Sequence, residues 1–402
     1  MLDEALASIK KIIPRSVFNF FQPYYHWCLA YLAAAVYGFP ARRLKIVGVT
    51  GTNGKSTVVH LITSILEEAG EKVASVSSLR FRINKKEETN ILKMTMPGRF
   101  KLQKFLREAI GAGCKYGIIE ITSEGIKQHR HIGIDFYMAV LTNVTPEHIE
   151  SHGTFEKYRA AKALLFKKAK IHVLNGEDPS IDYFLKIPAQ NRIIYSKKDF
   201  PPNIHFKLLG DFNLENAVAA YHAAKLLGIE FDAIKRALEE VKSIPGRLEF
   251  VQKMPFSIVV DYAHTPDALE KVYQTLRDPR FTLHASRLLC VLGSAGGGRD
   301  KWKRPEMGKI AAKFCDEIIL TNEDPYDEDP QKIIDEVAGG RNFKKIINRR
   351  EAIREAIKSA QSGDTVIITG KGAEPWLMGP NGTKIPWDDR EVTIEELAKL
   401  KI

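Results

Sequence analysis

Leu44-Lys-Ile-Val-Gly-Val-Thr-Gly-Thr-Asn-Gly-Lys-Ser-Thr57 decides how this 402-residue chain is read. Leu44–Val49 is an apolar, valine-rich run of the kind that forms a buried strand. From Lys55 to about Ala69, apolar residues recur at helical spacing. The glycine-rich turn Gly48-Val-Thr-Gly-Thr-Asn-Gly-Lys-Ser-Thr57 therefore joins a strand to the start of a helix. There, backbone N–H groups cradle phosphates, a lysine reaches the β/γ-phosphates and a serine hydroxyl ligates Mg²⁺. Gly51, Thr52, Asn53, Gly54, Lys55, Ser56 and Thr57 are accordingly expected to hold the phosphates of a ligand. Val49 stands where the strict G-x-x-x-x-G-K-[ST] pattern has its first glycine.

Outward from this loop, strands alternate with helices. Lys115–Ile121, Phe136–Thr142 and Lys170–Leu174 read as strands, and Lys101–Ala112 and Phe155–Lys168 as helices. Such alternation predicts an α/β fold with a mostly parallel sheet. Short strands crowd together between Asn191 and Leu209, which suggests a small antiparallel piece. Helices are predicted over Leu214–Leu227 and Phe231–Val241. Ser243-Ile-Pro-Gly-Arg247 reads as a linker, after which strands recur at Ser257–Asp261, Leu288–Leu292, Glu317–Thr321 and Thr365–Thr369. The expected organisation is a helical segment over 1–43, a central ATPase-type parallel-sheet domain over 44–245 and a Rossmann-like α/β domain over 246–402.

Composition sets the outer bounds. Apolar residues at 44% and charged residues at 27% exclude wholesale disorder, collagen and a multi-span membrane protein. Sixty Lys and Arg against forty-nine Asp and Glu give a net charge of +11, which suits an anionic partner. No motif supports nucleic-acid binding. Cys28, Cys114, Cys290 and Cys315 form no C-x-x-C pair, so neither a zinc ribbon nor a disulfide framework is expected, and a reducing cytoplasm fits.

The amino terminus is apolar and aromatic from Val17 to Phe39. The apolar part follows acidic Asp3 and Glu4 too late for a secretory signal. Pro23 and Gly38 are expected to bracket a helix, Tyr24–Tyr37, whose fourteen residues span ~21 Å, short of a ~30 Å hydrocarbon core. Two readings stay open. The helix packs on the following domain, or it lies on an anionic membrane surface, with Lys10, Lys11, Arg15, Arg42 and Arg43 flanking Trp27 and several Phe and Tyr.

Seven further blocks accompany the loop: Glu120-Ile-Thr-Ser-Glu-Gly-Ile-Lys-Gln-His-Arg130, Thr142-Asn-Val-Thr-Pro-Glu-His148, His152-Gly-Thr-Phe-Glu-Lys-Tyr-Arg-Ala-Ala-Lys162, Gly210-Asp-Phe-Asn-Leu-Glu-Asn216, Pro245-Gly-Arg-Leu-Glu249, Asp261-Tyr-Ala-His-Thr-Pro266 and Gly370-Lys-Gly-Ala-Glu374. In this order and spacing the chain resembles the Mur ligase superfamily of ATP-dependent amide-forming ligases, in its tripeptide synthetase (MurE) branch. The resemblance runs from about Leu44 to the C-terminus. It implies a reaction in peptidoglycan precursor synthesis: carboxylate, amine and ATP give amide, ADP and phosphate through an acyl phosphate. Ser56 and Glu120 match ligands of one Mg²⁺, and His148 and Lys162 the site of a second. Lys162 matches a lysine that is carbamylated in the family, which turns a cation into a hard oxygen ligand. Lys55, Lys162, His148 and Glu120 are the implied catalytic set. Asn213 and Asn216 match residues on the adenine side of ATP. Arg247 and Asp261 match contacts reaching ATP from the second domain, and His264, in the same loop, is expected to approach the phosphates, so that closure completes the site and excludes water.

The resemblance also implies the substrate ends. Thr95, Thr122, Gln128 and Arg130 match contacts to a muramoyl-peptide acceptor, although Met96 replaces the usual second Thr and Glu124 a common His. Arg299-Asp300 and Glu374 match the binding positions of the incoming free amino acid, and Asp324 is expected to join them. Glu323-Asp-Pro-Tyr326 stands where enzymes using meso-diaminopimelate carry Asp-Asn-Pro-Arg. Without that Arg, a diamino acid lacking a second carboxylate, such as lysine, is expected. Only Met1–Arg43 precede the loop strand, too few residues for the family's UDP-binding domain, and a lipid-linked acceptor would suit the apolar start. A cytoplasmic monomer, with possible peripheral contact at the inner face of the membrane, follows. The alternatives are a folylpolyglutamate synthase-like ligase, a Mur-ligase-like subunit modifying lipid-linked precursor and a nucleotide-binding scaffold without activity.

Overall fold

The computed structural model describes residues 15–92, 94–281 and 286–400, with side chains from residue 24 onward. Its centre is an eight-stranded sheet in the order β4-β3-β2-β5-β1-β6-β7-β8. These strands are β1 Lys45–Thr50, β2 Val73–Val76, β3 Arg80–Ile83, β4 Lys86–Thr89, β5 Tyr116–Glu120, β6 Phe136–Leu141, β7 Ile171–Asn175 and β8 Asn191–Tyr195. All pair in parallel except the β2-β3-β4 meander.

Period-two alternation explains the apolar run at β1. Val47 and Val49 face one core, with the helices Lys55–Glu68, Asp211–Leu226 and Phe231–Glu240. Ile46 faces the other, with Arg99–Gly111 and Phe155–Phe166. A strand covered on both sides needs apolar residues at every position. Because β1 lies between β5 and β6, the strand order reverses there, and a crevice opens at the carboxyl ends of these strands.

The second unit holds a six-stranded sheet in the order β13-β12-β11-β14-β10-β9. Its strands are β9 Glu249–Gln252, β10 Ser257–Asp261, β11 Leu288–Leu292, β12 Glu317–Leu320, β13 Lys344–Lys345 and β14 Thr365–Thr369. Only β9 is antiparallel to its neighbour. Helices Pro266–Arg277, Lys303–Phe314 and Pro330–Ala338 cover one face, and Arg349–Ser359 and Asp389–Leu400 the other. A small hairpin, β15 Trp376–Met378 with β16 Lys384–Pro386, completes it.

Three expectations are corrected. No antiparallel piece forms over 191–209: Asn191–Tyr195 is β8, the parallel edge strand of the large sheet, and the residues after it form a short 3₁₀ turn and loop. The amino-terminal helix does not start after Pro23 but runs from Arg15 to Val36, straight through that proline. A proline costs a helix one N–H donor without excluding it. Residues 1–14, including Lys10 and Lys11, lie outside the described residues. Finally, Cys290 and Cys315 form a disulfide with Cα atoms 6.1 Å apart. Their separation of 25 residues vanishes in space because Cys290 lies on β11 and Cys315 just before its parallel neighbour β12.

Candidate active site

The phosphate-type loop forms as its sequence dictates. Gly54 is the N-cap of the helix Lys55–Glu68 at φ 83°, with no side chain capping the first turn. Its N–H groups are thus left for a ligand. A Cβ on Gly54 would sit 2.3 Å from Asn216 Oδ1, so glycine is required on both conformational and steric grounds. Thr52 is tied by its hydroxyl to Thr145 and to the Tyr158 hydroxyl at 3.1 Å. Asn53 Nδ2 donates to Asp267 Oδ2 at 3.1 Å, which joins the loop to the second unit.

A cleft of about 370 Å³ opens over this loop. Thr52 to Thr57, Glu120, His148, Asn213 and Asn216 line it from the first unit. Arg247, Asp261, His264 and Arg299 line it from the second, and Thr95, Thr122, Gln128 and Arg130 lie at one end. The structure therefore brings together nearly all the residues singled out from the sequence. Gly51 and Lys162 sit just behind the lining, where Lys162 Nζ donates to Gly51 O at 2.6 Å.

Around Lys55 the charges are dense. Lys55 Nζ donates to Thr52 O at 2.8 Å and lies 3.9 Å from Glu120 Oε1. Burial lowers its pKa, against the pull of Glu120. Ser56 Oγ donates to Glu120 Oε2 at 2.8 Å. Ser78, just past β2, joins them, with its hydroxyl 2.8 Å from Ser56 Oγ and its N–H on Glu120 Oε2 at 2.9 Å. This set of hard oxygen donors beside a phosphate loop fits Mg²⁺. Among the described residues no three His, Cys, Asp or Glu side chains converge on a metal position.

Lys162 is buried against the Tyr158 ring, its Nζ 4.4 Å from the centroid. Burial, reinforced by Lys55, holds its pKa well below the ordinary lysine value. His148 occupies a left-handed turn at φ 57°. Burial first, then Arg299, Lys162 and other cations, push its pKa down to about 2, so its imidazole is neutral. His264 is likewise neutral, near 3 by burial and Lys303, with Nδ1 2.9 Å from Tyr262 O.

Some expected contacts are engaged within the protein. Both Asp261 oxygens accept backbone N–H groups, from Leu248 and Ala263, each at 2.7 Å. Asp261 thereby fixes the turn carrying Arg247, whose guanidinium lies 4.3 Å above the Tyr262 ring. Thr122 Oγ1 caps the helix Ser123–Lys127. Gln128 Oε1 accepts from Arg130 Nη2 at 2.6 Å, so these two act as a unit. Asn213 Nδ2 holds Leu209 O at 2.8 Å.

At the amino-acid end the expected residues are engaged with one another. A second, smaller cavity adjoins the cleft at Arg299 and His264 and is lined by Glu147, Lys303, Glu323, Asp324 and Glu374. Asp324, expected to take the substrate, has both oxygens 3.0 Å from Lys371 Nζ and accepts the Met378 N–H at 2.9 Å. Lys371 also donates to Glu374 Oε2 at 2.6 Å, and Glu374 Oε1 accepts from the Tyr262 hydroxyl at 2.8 Å. Its neighbour Glu323 is 4% exposed and has an Oε2 with no hydrogen-bond partner. Burial, reinforced by Asp324, raises the Glu323 pKa. Glu323, Lys371 and Glu147 all lay inside motifs already quoted, yet nothing in their spacing shows which carboxylate is neutralised. Ser78 carried no motif signal.

The two units meet through polar contacts around this end. Lys303 Nζ and Glu147 Oε1 form a buried ion pair at 2.8 Å. Asp300 accepts the N–H groups of Ile149 and Glu150 at 3.2 and 2.9 Å, capping the short helix that follows His148.

Comparison with known proteins matches residues 49–201 to the Mur ligase middle domain and residues 246–372 to the Mur ligase, glutamate ligase domain. The chain is 40% identical over 391 residues to the UDP-N-acetylmuramoyl-L-alanyl-D-glutamate–2,6-diaminopimelate ligase of Aquifex aeolicus, covering 90% of this chain and 79% of that protein. It is 37% identical over 423 residues to a UDP-N-acetylmuramyl-tripeptide synthetase of Roseiflexus, covering 92% and 82%. A solved 2,6-diaminopimelate ligase of the same type superimposes with a TM-score of 0.60 at 29% identity, covering 95% of this chain and 83% of that one. Mycobacterium tuberculosis folylpolyglutamate synthase shares the fold alone, with a TM-score of 0.70 at 18% identity over 85% and 91% of the two chains.

Proposed function

The chain belongs to the Mur ligase family, and from that premise we propose how its cleft performs ATP-dependent addition of an amino acid to a muramoyl-peptide-type acceptor in peptidoglycan synthesis. One observation carries the reading. A single cleft joins a phosphate loop on the first unit to Arg247 and Arg299 on the second, and continues into a cavity lined by acids.

The acceptor carboxylate attacks the γ-phosphorus of ATP and ADP leaves; the incoming amine then attacks the acyl carbon and phosphate leaves. The loop N–H groups and Lys55 hold the β/γ-phosphates, and Arg247 reaches them from the other side, so developing charge meets preorganised cations. Ser56 and Glu120 would hold Mg²⁺, which neutralises phosphate charge when bound. His148 and Lys162 would complete a second such site. Two features of Lys162 support carbamylation: its amine is buried beside the phosphate loop, on Gly51 O, and burial lowers its pKa, which favours the free amine that attacks CO₂ with loss of a proton. Arg130, steadied by Gln128, receives the acceptor's anionic groups.

The second cavity supports a diamino acid with no second carboxylate. Lys303 pairs with Glu147, and Lys371 with Asp324 and Glu374. Arg299 takes part in no ion pair among the described residues and suits the substrate's α-carboxylate. Glu323, with its unsatisfied oxygen, suits a distal ammonium. A monomer acting in the cytoplasm, where ATP is supplied, belongs to this reading. Peripheral contact with the membrane through the amino-terminal helix belongs to the same reading.

Phosphate release measured with a muramoyl-dipeptide acceptor tests this. Lysine is expected to support turnover and meso-diaminopimelate to do so at least about tenfold more weakly. Glu323→Gln is expected to raise KM for lysine about tenfold or more with kcat little changed, since the lost contact is one of binding. Preferential use of meso-diaminopimelate would refute the assignment of this cavity.

A further inference from the structure

From Tyr24 to Val36, the helix Arg15–Val36 is buried along one face and exposed along the other. Ala30, Ala33 and Ala34 are buried against the helix Arg99–Gly111. A Cβ on Gly133 would lie 2.5 Å from that of Ala34, so a glycine permits the close approach. The opposite face carries Tyr24, Trp27, Tyr31, Leu32 and Val36, each 47–63% exposed. Their spacing is that of one helical stripe. Trp27 and Tyr31 stack with ring centroids 5.6 Å apart, and Phe39 meets Tyr31 edge-on at 5.4 Å. From Ser16 to Ala41 the sequence has no Asp, Glu, Lys or Arg. An exposed helix face ordinarily carries charges.

Its surroundings say what covers it. Arg42 and Arg43 follow the helix, and Lys101, Lys104 and Arg107 are exposed on the helix packed against it. Among the described residues, two of these cations face carboxylates: Lys104 lies 3.7 Å from Glu108, and Arg42 3.8 Å from Asp135. Tyrosine and tryptophan rimmed by cations suit the headgroup layer of an anionic bilayer, where the rings lie among acyl chains and their polar edges stay wet. A second copy fits worse, because an isologous pair would bring each basic rim near its own duplicate. No described helix is long and apolar enough to cross a membrane, so the contact is one of lying on the surface.

The helix also adjoins the acceptor end of the cleft. Arg99, beside Tyr25, donates to Gln128 O at 2.6 Å, and Gln128 holds Arg130. Three residues beyond Arg130, Gly133 meets the helix at Ala34. We propose that the outward face of this helix docks on anionic phospholipid and thereby sets the acceptor end of the cleft at headgroup level, where it receives a lipid-linked acceptor. The docking rests on the face itself; the lipid-linked acceptor rests on the ligase reading above.

Co-sedimentation of the full chain with phosphatidylglycerol vesicles free of acceptor tests the docking. Binding is expected at low salt, with weakening at high salt and on pure phosphatidylcholine. Trp27→Glu combined with Tyr31→Glu is expected to lower the partition coefficient at least about tenfold, with the melting temperature and the turnover of a soluble acceptor unchanged. The single Trp27→Ala, milder for folding, is expected to fall between. Wild-type protein left in the supernatant, equal binding by the variants, or a dimer that the double variant dissolves would each overturn the proposal. Turnover without vesicle binding would sink the docking alone. Vesicle binding without amide formation would leave the docking standing and sink the ligase reading.

Discussion

Replacing Lys303 by methionine isolates what a buried charge contributes to closing the cleft. Lys303 and Glu147 are 3% and 5% exposed, 2.8 Å apart, and come from different units. Glu147 Oε2 has no other partner. Removing one member of such a pair costs about 3–5 kcal/mol, because the other charge is left uncompensated. The pH dependence follows from what sets the Glu147 pKa. Burial raises it, and Lys303 supplies the largest opposing influence. Without Lys303 the pKa rises further, so the folded variant binds a proton more tightly than the unfolded chain does. A carboxyl raised in this way loses stability as pH climbs through its folded pKa and regains it as pH falls, by roughly 1.4 kcal/mol per pH unit. Urea unfolding at about pH 8 is therefore expected to show a loss near 3 kcal/mol relative to wild type, and at about pH 6 a smaller loss. Glu147→Gln with Lys303→Met is expected to restore most of the stability at both values. A small loss that is the same at both would show that this pair does not hold the units together.

Two further outcomes concern the nucleotide. Gly54→Ala is expected to weaken ATP binding, read by calorimetry, at least about tenfold, since the methyl meets Asn216 at a φ that alanine avoids; unchanged affinity would mean that the loop does not approach phosphate. Lys162→Ala is expected to abolish phosphate release with no rescue by bicarbonate, and a wild-type peptide mass showing no carbamate, together with full activity in bicarbonate-free buffer, would remove Lys162 from the mechanism.

The parts of the fold legible in sequence were those where burial on both sides forces a continuous apolar run, as at Ile46–Val49 and Ile258–Val260. The phosphate loop was legible because its glycines answer steric demands that no other residue meets. Where burial is partial the pattern fades. Every residue of β4 is exposed and β8 is half-exposed, so the β3–β4 ribbon gave no signal and β8 read as part of an antiparallel piece. Pro23 was misleading because a terminal helix tolerates the loss of one N–H. At the site, residue types indicated chemistry but not partnership. That Asp324 pairs with Lys371 while Glu323, one residue earlier, holds an unsatisfied oxygen is written in no residue type. Cys290 and Cys315 likewise became neighbours only through strand pairing.

The cap on Ile149 and Glu150 bears on how the protein is made. The turn carrying His148 lies within the first sheet's half of the chain, but the carboxylate that satisfies its amides belongs to Asp300. During synthesis the eight-stranded sheet and the helices to Glu240 can emerge and pack while residue 300 has yet to be translated. Until then the His148 turn has two bare N–H groups and Glu147 has no Lys303. A nascent or truncated chain ending near residue 245 would carry a formed phosphate loop beside an unfinished His148 turn. Such a fragment could hold a nucleotide without the geometry to spend it, and the finished chain acquires both features in a single docking step.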